Sequence, residues 1–243
     1  MFNNQAAVQN APADAIAFAA SEARVAFIRK TYTHLLGAIG VFVALCTVFV
    51  NSPVADAMIN LVSMRFGGLI MFVLFIGAST VANKWALTSV DPKKAYLGLG
   101  LYIVAMALFI TPLLLLATLM EATSGQPILL NAAILTLGAF TAMTAIVFFT
   151  GKDFSFLGSL LKVAVMVAFG VIACSYLFGF SIGILGCGAM ALLSCGIILY
   201  ETSNVMHRYR TGMHVAASLA LFAAIALLFL YILQIVMSLT GRD

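Results

Sequence analysis

Residues 213–238 of the chain read MHVAASLALFAAIALLFLYILQIVMS and contain no acidic residue, lysine or arginine. A helix needs about 20 consecutive apolar residues to cross the hydrocarbon core of a membrane. This stretch is therefore predicted to be a transmembrane helix. No acid occurs anywhere between Thr202 and Arg242.

Six further apolar segments precede this stretch, at about 31–50, 61–82, 96–120, 130–150, 156–179 and 182–205. The chain is 64% hydrophobic and only 8% charged, whereas soluble domains are about 25% charged. The sequence predicts an all-α membrane protein, with a seven-helix transmembrane domain over residues 24–243 and a flexible N-terminal tail over residues 1–23. Pro112 is predicted to kink the third of these helices, which either opens a cavity or fits its neighbours.

The distribution of basic residues predicts the orientation in the membrane. Cytoplasmic connections carry an excess of Lys and Arg. One predicted side of this chain holds ten of the twelve Lys and Arg residues: Arg24, Arg29, Lys30, Lys84, Lys93, Lys94, Lys152, Lys162, Arg208 and Arg210. The other side holds Arg65 and Arg242. We therefore expect a cytoplasmic N-terminus and a C-terminus on the outer side.

Several classes of function are not expected. The chain has no His-Glu-x-x-His, Walker or dinucleotide motif, so we expect no enzyme activity and no cofactor. The basic residues are scattered among membrane connections, which argues against binding of nucleic acid. The cysteines lie in apolar runs without a Cys-x-x-Cys pair, and no metal site is predicted.

Glu201 is the acid that lies inside a long apolar run. An ionisable group within a membrane segment is by default a candidate functional residue. At 1.5 Å per residue, Glu201 lies about 28 Å along its predicted helix. This distance predicts a position near the cytoplasmic end. Three interpretations are open. Glu201 lines a vestibule that gates or binds a cation, it fastens helices through an ion pair or hydrogen bond, or it faces the headgroup water.

Four basic or polar neighbours are candidate partners in this gate, sensor or ion pair: His207, Arg208, Lys84 and Lys162. Both lysines are expected to extend to the interface, and either could also pair with Glu201. Arg208 follows Glu201 by two helical turns, so no direct contact between them is expected. Asp153 or Ser155 is predicted to cap the fifth transmembrane helix.

Two stretches resemble one family. Residues 151–158, GKDFSFLG, are similar to the segment that opens the fifth helix in bacterial members of the Bax inhibitor-1 family. Residues 200–207, YETSNVMH, resemble the end of the sixth helix, in particular in the YccA-like branch. The matching positions are Lys152, Asp153, Ser155, Tyr200, Ser203 and Asn204.

The resemblance implies a seven-helix fold in which six helices surround a central last helix. Some members are pH-sensitive calcium leak channels with two facing aspartates near the cytoplasmic side. Glu201 matches the first of these, whereas the second would fall near Ala224. YccA-like members instead restrain a membrane-embedded AAA protease.

We therefore predict a protein of the bacterial inner membrane that modulates such a protease by direct interaction. The tail, residues 1–23, would be a handle for the protease. The alternative is a calcium leak channel gated around Glu201, with Ca²⁺ as the transported ion. Beyond these, the lipid bilayer is the expected partner.

Overall fold

The computed structural model describes residues 16–88 and 92–241, which form a helical bundle. A short 3-10 helix over Ile16–Phe18 comes first. Eight α-helices follow in the described residues: α1 (Ser21–Val50), α2 (Pro53–Ser63), α3 (Gly67–Thr88), α4 (Pro92–Ser124), α5 (Ile128–Thr150), α6 (Leu157–Phe178), α7 (Gly183–His207) and α8 (His214–Thr240). Every one of these except α2 is long and apolar enough to cross a membrane. The prediction of a seven-helix membrane protein is thus confirmed.

The start of α1 differs from the predicted boundary. The helix begins at Ser21, ten residues before the predicted start, and the segment Ile16–Phe18 is already ordered against the bundle. Of the predicted flexible tail, residues 16–18 and 21–23 therefore belong to helical elements. Residues 1–15 lie outside the described part of the chain. The apolar pattern marked only the membrane-crossing part of α1, since its first turns carry charged residues.

The second predicted segment, 61–82, is in fact divided between two helices. Ser52 accepts a hydrogen bond from the Val54 amide and begins α2, with Pro53 in the first helical position. After Ser63 the chain turns, and α3 begins at Gly67. A β-carbon at Gly67 would overlap the carbonyl oxygen of Leu61. This close approach, which only glycine permits, is the physical reason for the break.

The last helix, α8, is the centre of the bundle. Of the most apolar stretch of α8, 56% is buried, against 11% in α6. Helix α8 packs against α1, α3, α4, α5 and α7, whereas α6 packs mainly on α7 and α3. Phe222, Leu221 and Leu233 of α8 are almost completely buried. The resemblance predicted a helix wrapped by all six others. The structure shows α6 set outside α7 instead.

Helix α4 continues as one helix through Pro112. One residue earlier, the hydroxyl of Thr111 donates to the Ala107 carbonyl at 2.7 Å. A threonine hydroxyl within a helix can donate in this way to the carbonyl four residues earlier. Pro112 is thus accommodated within the span and does not end it.

Contacts identify the parts of the chain that meet at one end of the bundle. His34 of α1 lies 2.8 Å from the hydroxyl of Tyr96 in α4, and its ring lies 5.0 Å from that of His214 at the start of α8. The α5–α6 connection meets the end of α7 through Asp153 and Ser203. We call this the basic end, because it holds the connections rich in Lys and Arg.

Candidate functional site

The two stretches that carry the family resemblance meet at the basic end. The hydroxyl of Ser203, on α7, donates to Asp153 Oδ1 at 3.2 Å. The Oγ of Ser203 in turn accepts the backbone N–H of Phe154 at 2.9 Å. Ser203 is fully buried. One serine side chain therefore joins the α5–α6 connection to the end of α7, although about fifty residues separate them in the sequence.

A second contact between these stretches is made by packing. The ring of Tyr200 lies so close to the start of α6 that a β-carbon at Gly158 would be 2.8 Å from it. Real β-carbons essentially never approach so closely, so a side chain there would displace the ring. Gly158 thus allows α6 and α7 to approach beside the Asp153 connection.

Asp153 is held by four polar partners. It accepts the backbone N–H of Ser155 at 2.8 Å, the Ser155 hydroxyl at 3.0 Å and the hydroxyl of Ser203. Arg208 Nη2 lies 4.0 Å from its Oδ2. Burial acts to raise the pKa of Asp153, but the hydrogen bonds from Ser155 and Ser203 and the charge of Arg208 outweigh it and lower the pKa. Asp153 is therefore a fixed negative charge.

The predicted cap of the fifth transmembrane helix is wrong. The residue before α6 is Phe156, which makes no capping hydrogen bond through its side chain. Asp153 instead closes a turn onto Ser155 and reaches across to α7. The sequence suggested a local cap because Asp and Ser near a helix start commonly serve that purpose. The partner on α7, Ser203, lies 50 residues away in the sequence, and no local pattern indicates it.

Among the residues that the structure describes, the hydrogen-bond partners of Glu201 are uncharged. Asn204 Nδ2 and the hydroxyl of Tyr209 each donate to its Oε2 at 3.3 Å. The side chain is half-buried. Lys84 and Lys162 are exposed. In residues 16–88 and 92–241, Glu201 forms no ion pair with either lysine or with Arg208. The hydrogen bonds reach its own helix and the following turn, so Glu201 fastens the end of α7 locally.

Tyr209 connects Glu201 to the N-terminal segment. The backbone N–H of Ile16 donates to the Tyr209 carbonyl at 2.8 Å, and Ile16 is fully buried. Burial, followed by the neighbouring Glu201 charge, raises the pKa of Tyr209 well above its ordinary value, so its hydroxyl keeps its proton and donates. We call this chain of contacts, from Glu201 through Tyr209 to Ile16, the latch. Sequence reasoning missed Tyr209, which lies between two arginines, and it missed Ile16, which lies in the presumed tail.

An oxygen beside Glu201 has no partner. Asn204 is 8% exposed, and its Oδ1 makes no hydrogen bond within the described residues. Carboxylate and amide oxygens are the groups that hard cations prefer. No cluster of three or more His, Cys, Asp or Glu side chains that could hold a metal occurs in this part of the chain. In the described residues, an unpartnered amide oxygen thus lies beside Glu201 without the set of ligands that a dedicated metal site needs.

The resemblance places the second acid of a paired sensor near Ala224, and the surroundings of Ala224 are apolar. Ala224 is 2% exposed and packs in a small cluster with Ile198 and Leu228. Ile198 precedes Glu201 by about one helical turn, so Ala224 lies deeper in the bundle. Glu201 has no facing carboxylate at Ala224.

The remaining predicted residues have simpler surroundings. The ring nitrogen Nδ1 of His207 lies 3.0 Å from the Ser203 carbonyl, within the same helix. Lys152 is exposed. His207 thus borders the Asp153 site, while Lys152 faces outward from the connection.

Comparison with known proteins identifies the family. Residues 24–241 match the family described as "Inhibitor of apoptosis-promoting Bax1". This chain belongs to the Bax inhibitor-1 family. It is 30% identical over 230 residues to a BI1-like protein of Arabidopsis thaliana, covering 90% of this chain and 83% of that protein. No solved structure matches the chain significantly.

Two further relatives are similar in different measure. Protein LIFEGUARD 4 of Arabidopsis thaliana is 33% identical over 224 residues, which cover 88% of this chain and 85% of the relative. Bax inhibitor 1 of Schizosaccharomyces pombe is 36% identical over 121 residues, 48% of this chain and 44% of that protein. The family thus spans the whole membrane domain, and the chain is a multi-pass membrane protein of this family.

Proposed function

We propose that this member of the Bax inhibitor-1 family is a proton-sensitive cation leak protein, with Ca²⁺ as the transported ion, gated around Glu201. The observation that carries the proposal is the set of partners of Glu201. Within the described part of the chain, the hydrogen bonds to this acid come from the neutral groups of Asn204 and Tyr209. Its charge state can therefore change without breaking an ion pair.

The latch gives that change a structural consequence. A hydrogen bond to an ionised carboxylate is about twice as strong as one between neutral groups. Protonation of Glu201 would weaken its hold on Tyr209, and the carbonyl of Tyr209 holds Ile16 over the end of α7. A weakening of about 1 kcal/mol corresponds to roughly a fivefold change in the population of the released state. Acidification then favours release of the segment and entry of a cation beside Asn204.

Calcium flux into liposomes that contain a calcium dye tests this proposal. We expect flux through the purified protein to rise about fivefold between pH 8 and pH 6. Glu201→Gln keeps an acceptor oxygen but removes the charge, so its flux should be high and independent of pH. Glu22→Gln is the matched control, because Glu22 is an exposed acid in the first turn of α1.

Two results would contradict the gate. The first is the absence of calcium flux at every pH between 6 and 8. The second is a pH response of Glu201→Gln that equals that of the unaltered protein. In the second case a pore exists, but Glu201 has no part in it.

The second candidate is an interaction protein of the bacterial inner membrane, of the YccA-like branch, that modulates a membrane-embedded AAA protease. Ala224 favours it, because the partner acid of a paired sensor is replaced by a buried alanine. The names of two relatives, Bax inhibitor 1 and a Golgi anti-apoptotic protein of Vaccinia virus, also describe inhibitors of other processes. Regulation by contact would need no ion pathway.

The half-life of another membrane substrate of the protease separates this candidate from the leak. Raising the level of this chain should lengthen that half-life, and Glu201→Gln should do so equally well. A second arm deletes residues 2–13, which leaves Ile16 in place, and should lengthen the lifetime of the chain itself. Unchanged half-lives in both arms would rule out modulation and the handle.

A further inference from the structure

A crevice opens between α1 and α5 on the outside of the bundle. The two helices touch near the basic end, where the rings of Tyr32 and Phe148 lie 6.0 Å apart. Away from that end both pack along α8, but they make few contacts with each other. The space between them is a cavity of about 410 Å³. Helix α8 forms its floor with Phe222 and Phe229, and α4 closes one side.

The walls of this crevice present an apolar surface, because the hydroxyl groups of their threonines are bonded within their own helices. Three threonines line it, and each hydroxyl donates to a carbonyl of its own helix. Thr47 donates to Val43, Thr118 to Leu115 and Thr136 to Ala132. Water in a cavity needs two to four polar partners, and an apolar cavity of about 150 Å³ stays dry and takes up hydrocarbon. The crevice is therefore a site for hydrocarbon.

The polar group of the crevice lies at its far end. Asn51 follows the last residue of α1, is exposed, and donates through Nδ2 to the Thr47 carbonyl at 2.8 Å. From Ile39 to Asn51 the lining of α1 extends about 18 Å at 1.5 Å per residue. Half of a hydrocarbon core of about 30 Å is ~15 Å. The length matches one leaflet.

We propose that this crevice binds one acyl chain of a phospholipid from the leaflet at the Asn51 end, with the polar ester region beside Asn51. The rim is open to the bilayer, since Val43 and Leu137 on opposite sides are 56% and 50% exposed. An empty groove would forfeit the dispersion contacts of its lining. Phospholipid chains are the apolar molecules that surround this rim, and one polar residue at one end fits their single polar end.

Native mass spectrometry of the protein released from mild detergent tests the proposal. We expect the unaltered protein to retain one phospholipid. Ala133→Trp fills the groove from the half-buried rim of α5 and should lower the retained fraction at least tenfold. Val43→Trp fills it from the α1 wall and should act alike, which keeps the test valid if one variant fails to fold. Met166→Trp, on the 76% exposed face of α6, is the matched control and should retain the lipid.

Other occupants give other masses. A retained free fatty acid, or a dimer whose formation Ala133→Trp abolishes, would overturn the phospholipid assignment. Equal phospholipid retention by the unaltered protein and by both folded rim variants would overturn the site. An unaltered protein that carries no phospholipid in mild detergent would do the same.

Discussion

Two acids lie at the basic end of the bundle, and the protein holds them in opposite ways. Asp153 accepts three short hydrogen bonds, and its side chain is 11% exposed beside the charged Arg208. Glu201 accepts two bonds of 3.3 Å from neutral groups. The acid in the connection between helices is therefore fixed, whereas the acid within a membrane span is loosely held.

The difference separates a structural acid from a candidate switch. A neighbouring cation and several hydrogen-bond donors stabilise the ionised form of a carboxylate. Such a carboxylate also joins the helices or connections that provide the cation and the donors. A carboxylate with neutral partners tolerates either charge state, and its partners feel the change. Asp153 joins the α5–α6 connection to α7, and Glu201 acts through Tyr209 on the N-terminal segment. Substitutions at the first should change the stability of the fold, and substitutions at the second should change the latch.

The largest effect is expected for Asp153→Ala. The change removes the acceptor of Ser155 and Ser203 and leaves Arg208 without its acid. Hydrogen bonds to charged groups contribute about 1.5–3 kcal/mol, so the free energy of unfolding should fall by about 3 kcal/mol. Reversible unfolding in detergent measures it. Lys152→Ala, at the exposed neighbour, should stay within about 0.5 kcal/mol. An equally small change for Asp153→Ala would show that the Asp153 carboxylate does not stabilise the fold.

A smaller effect is expected where the latch holds the N-terminal segment. Ile16→Asp places a carboxylate at a fully buried position. Burial of an isoleucine side chain contributes about 1.5–3 kcal/mol, so most of the hold should be lost. Hydrogen exchange at the residue 16 amide should accelerate more than tenfold. Phe18→Asp is the control, because Phe18 is 52% exposed. Equal exchange in the two variants would show that Ile16 does not anchor the segment.

A still smaller effect, a loss of about 1–2 kcal/mol in the free energy of unfolding, is expected at the contact between α6 and α7. Gly158→Ala forces a methyl group against the ring of Tyr200 and should reduce stability by that amount. The Tyr200→Ala background should absorb the methyl group without further loss. Gly170→Ala in the same helix meets no atom within 4 Å and should be neutral or stabilising. A loss at Gly158 that persists without the Tyr200 ring would refute the packing explanation.

The spans could be predicted from sequence because a membrane imposes one rule on all of them. An apolar run of about 20 residues is expected to be a helix, because a helix satisfies all its backbone hydrogen bonds within one segment in hydrocarbon. The ends of α5, α6, α7 and α8 accordingly lie within two residues of the predicted ends. The division between α2 and α3 could not be predicted from the apolar pattern, because the residues on both sides of it are apolar. The break depends on the approach of Gly67 to Leu61.

The candidate site was less accessible to the same reasoning. Glu201 was found because its carboxylate contrasts with the apolar run around it. Its partner Tyr209 carries no such contrast, and Ile16 contacts Tyr209 across most of the chain length. The Asp153–Ser203 bond likewise joins two motifs that the sequence presented separately. Such pairs are set by the packing of α7 against the α5–α6 connection, which hydrophobic periodicity does not specify.

The smallest effect concerns the pH dependence of stability, which we expect to depend on Asp153 and not on Glu201. The pKa of Asp153 is lowered in the folded protein, so its contribution to stability is complete above the unfolded value of about 3.9. The contribution is lost as pH falls through that value to the lower folded pKa. Unfolding measured between pH 6 and pH 3 should therefore show decreasing stability, and Asp153→Asn should flatten this dependence. Glu201→Gln should leave the acid-dependent part intact. If Glu201→Gln flattened the curve instead, Glu201 would be the fixed charge and the roles assigned to the two acids would be reversed.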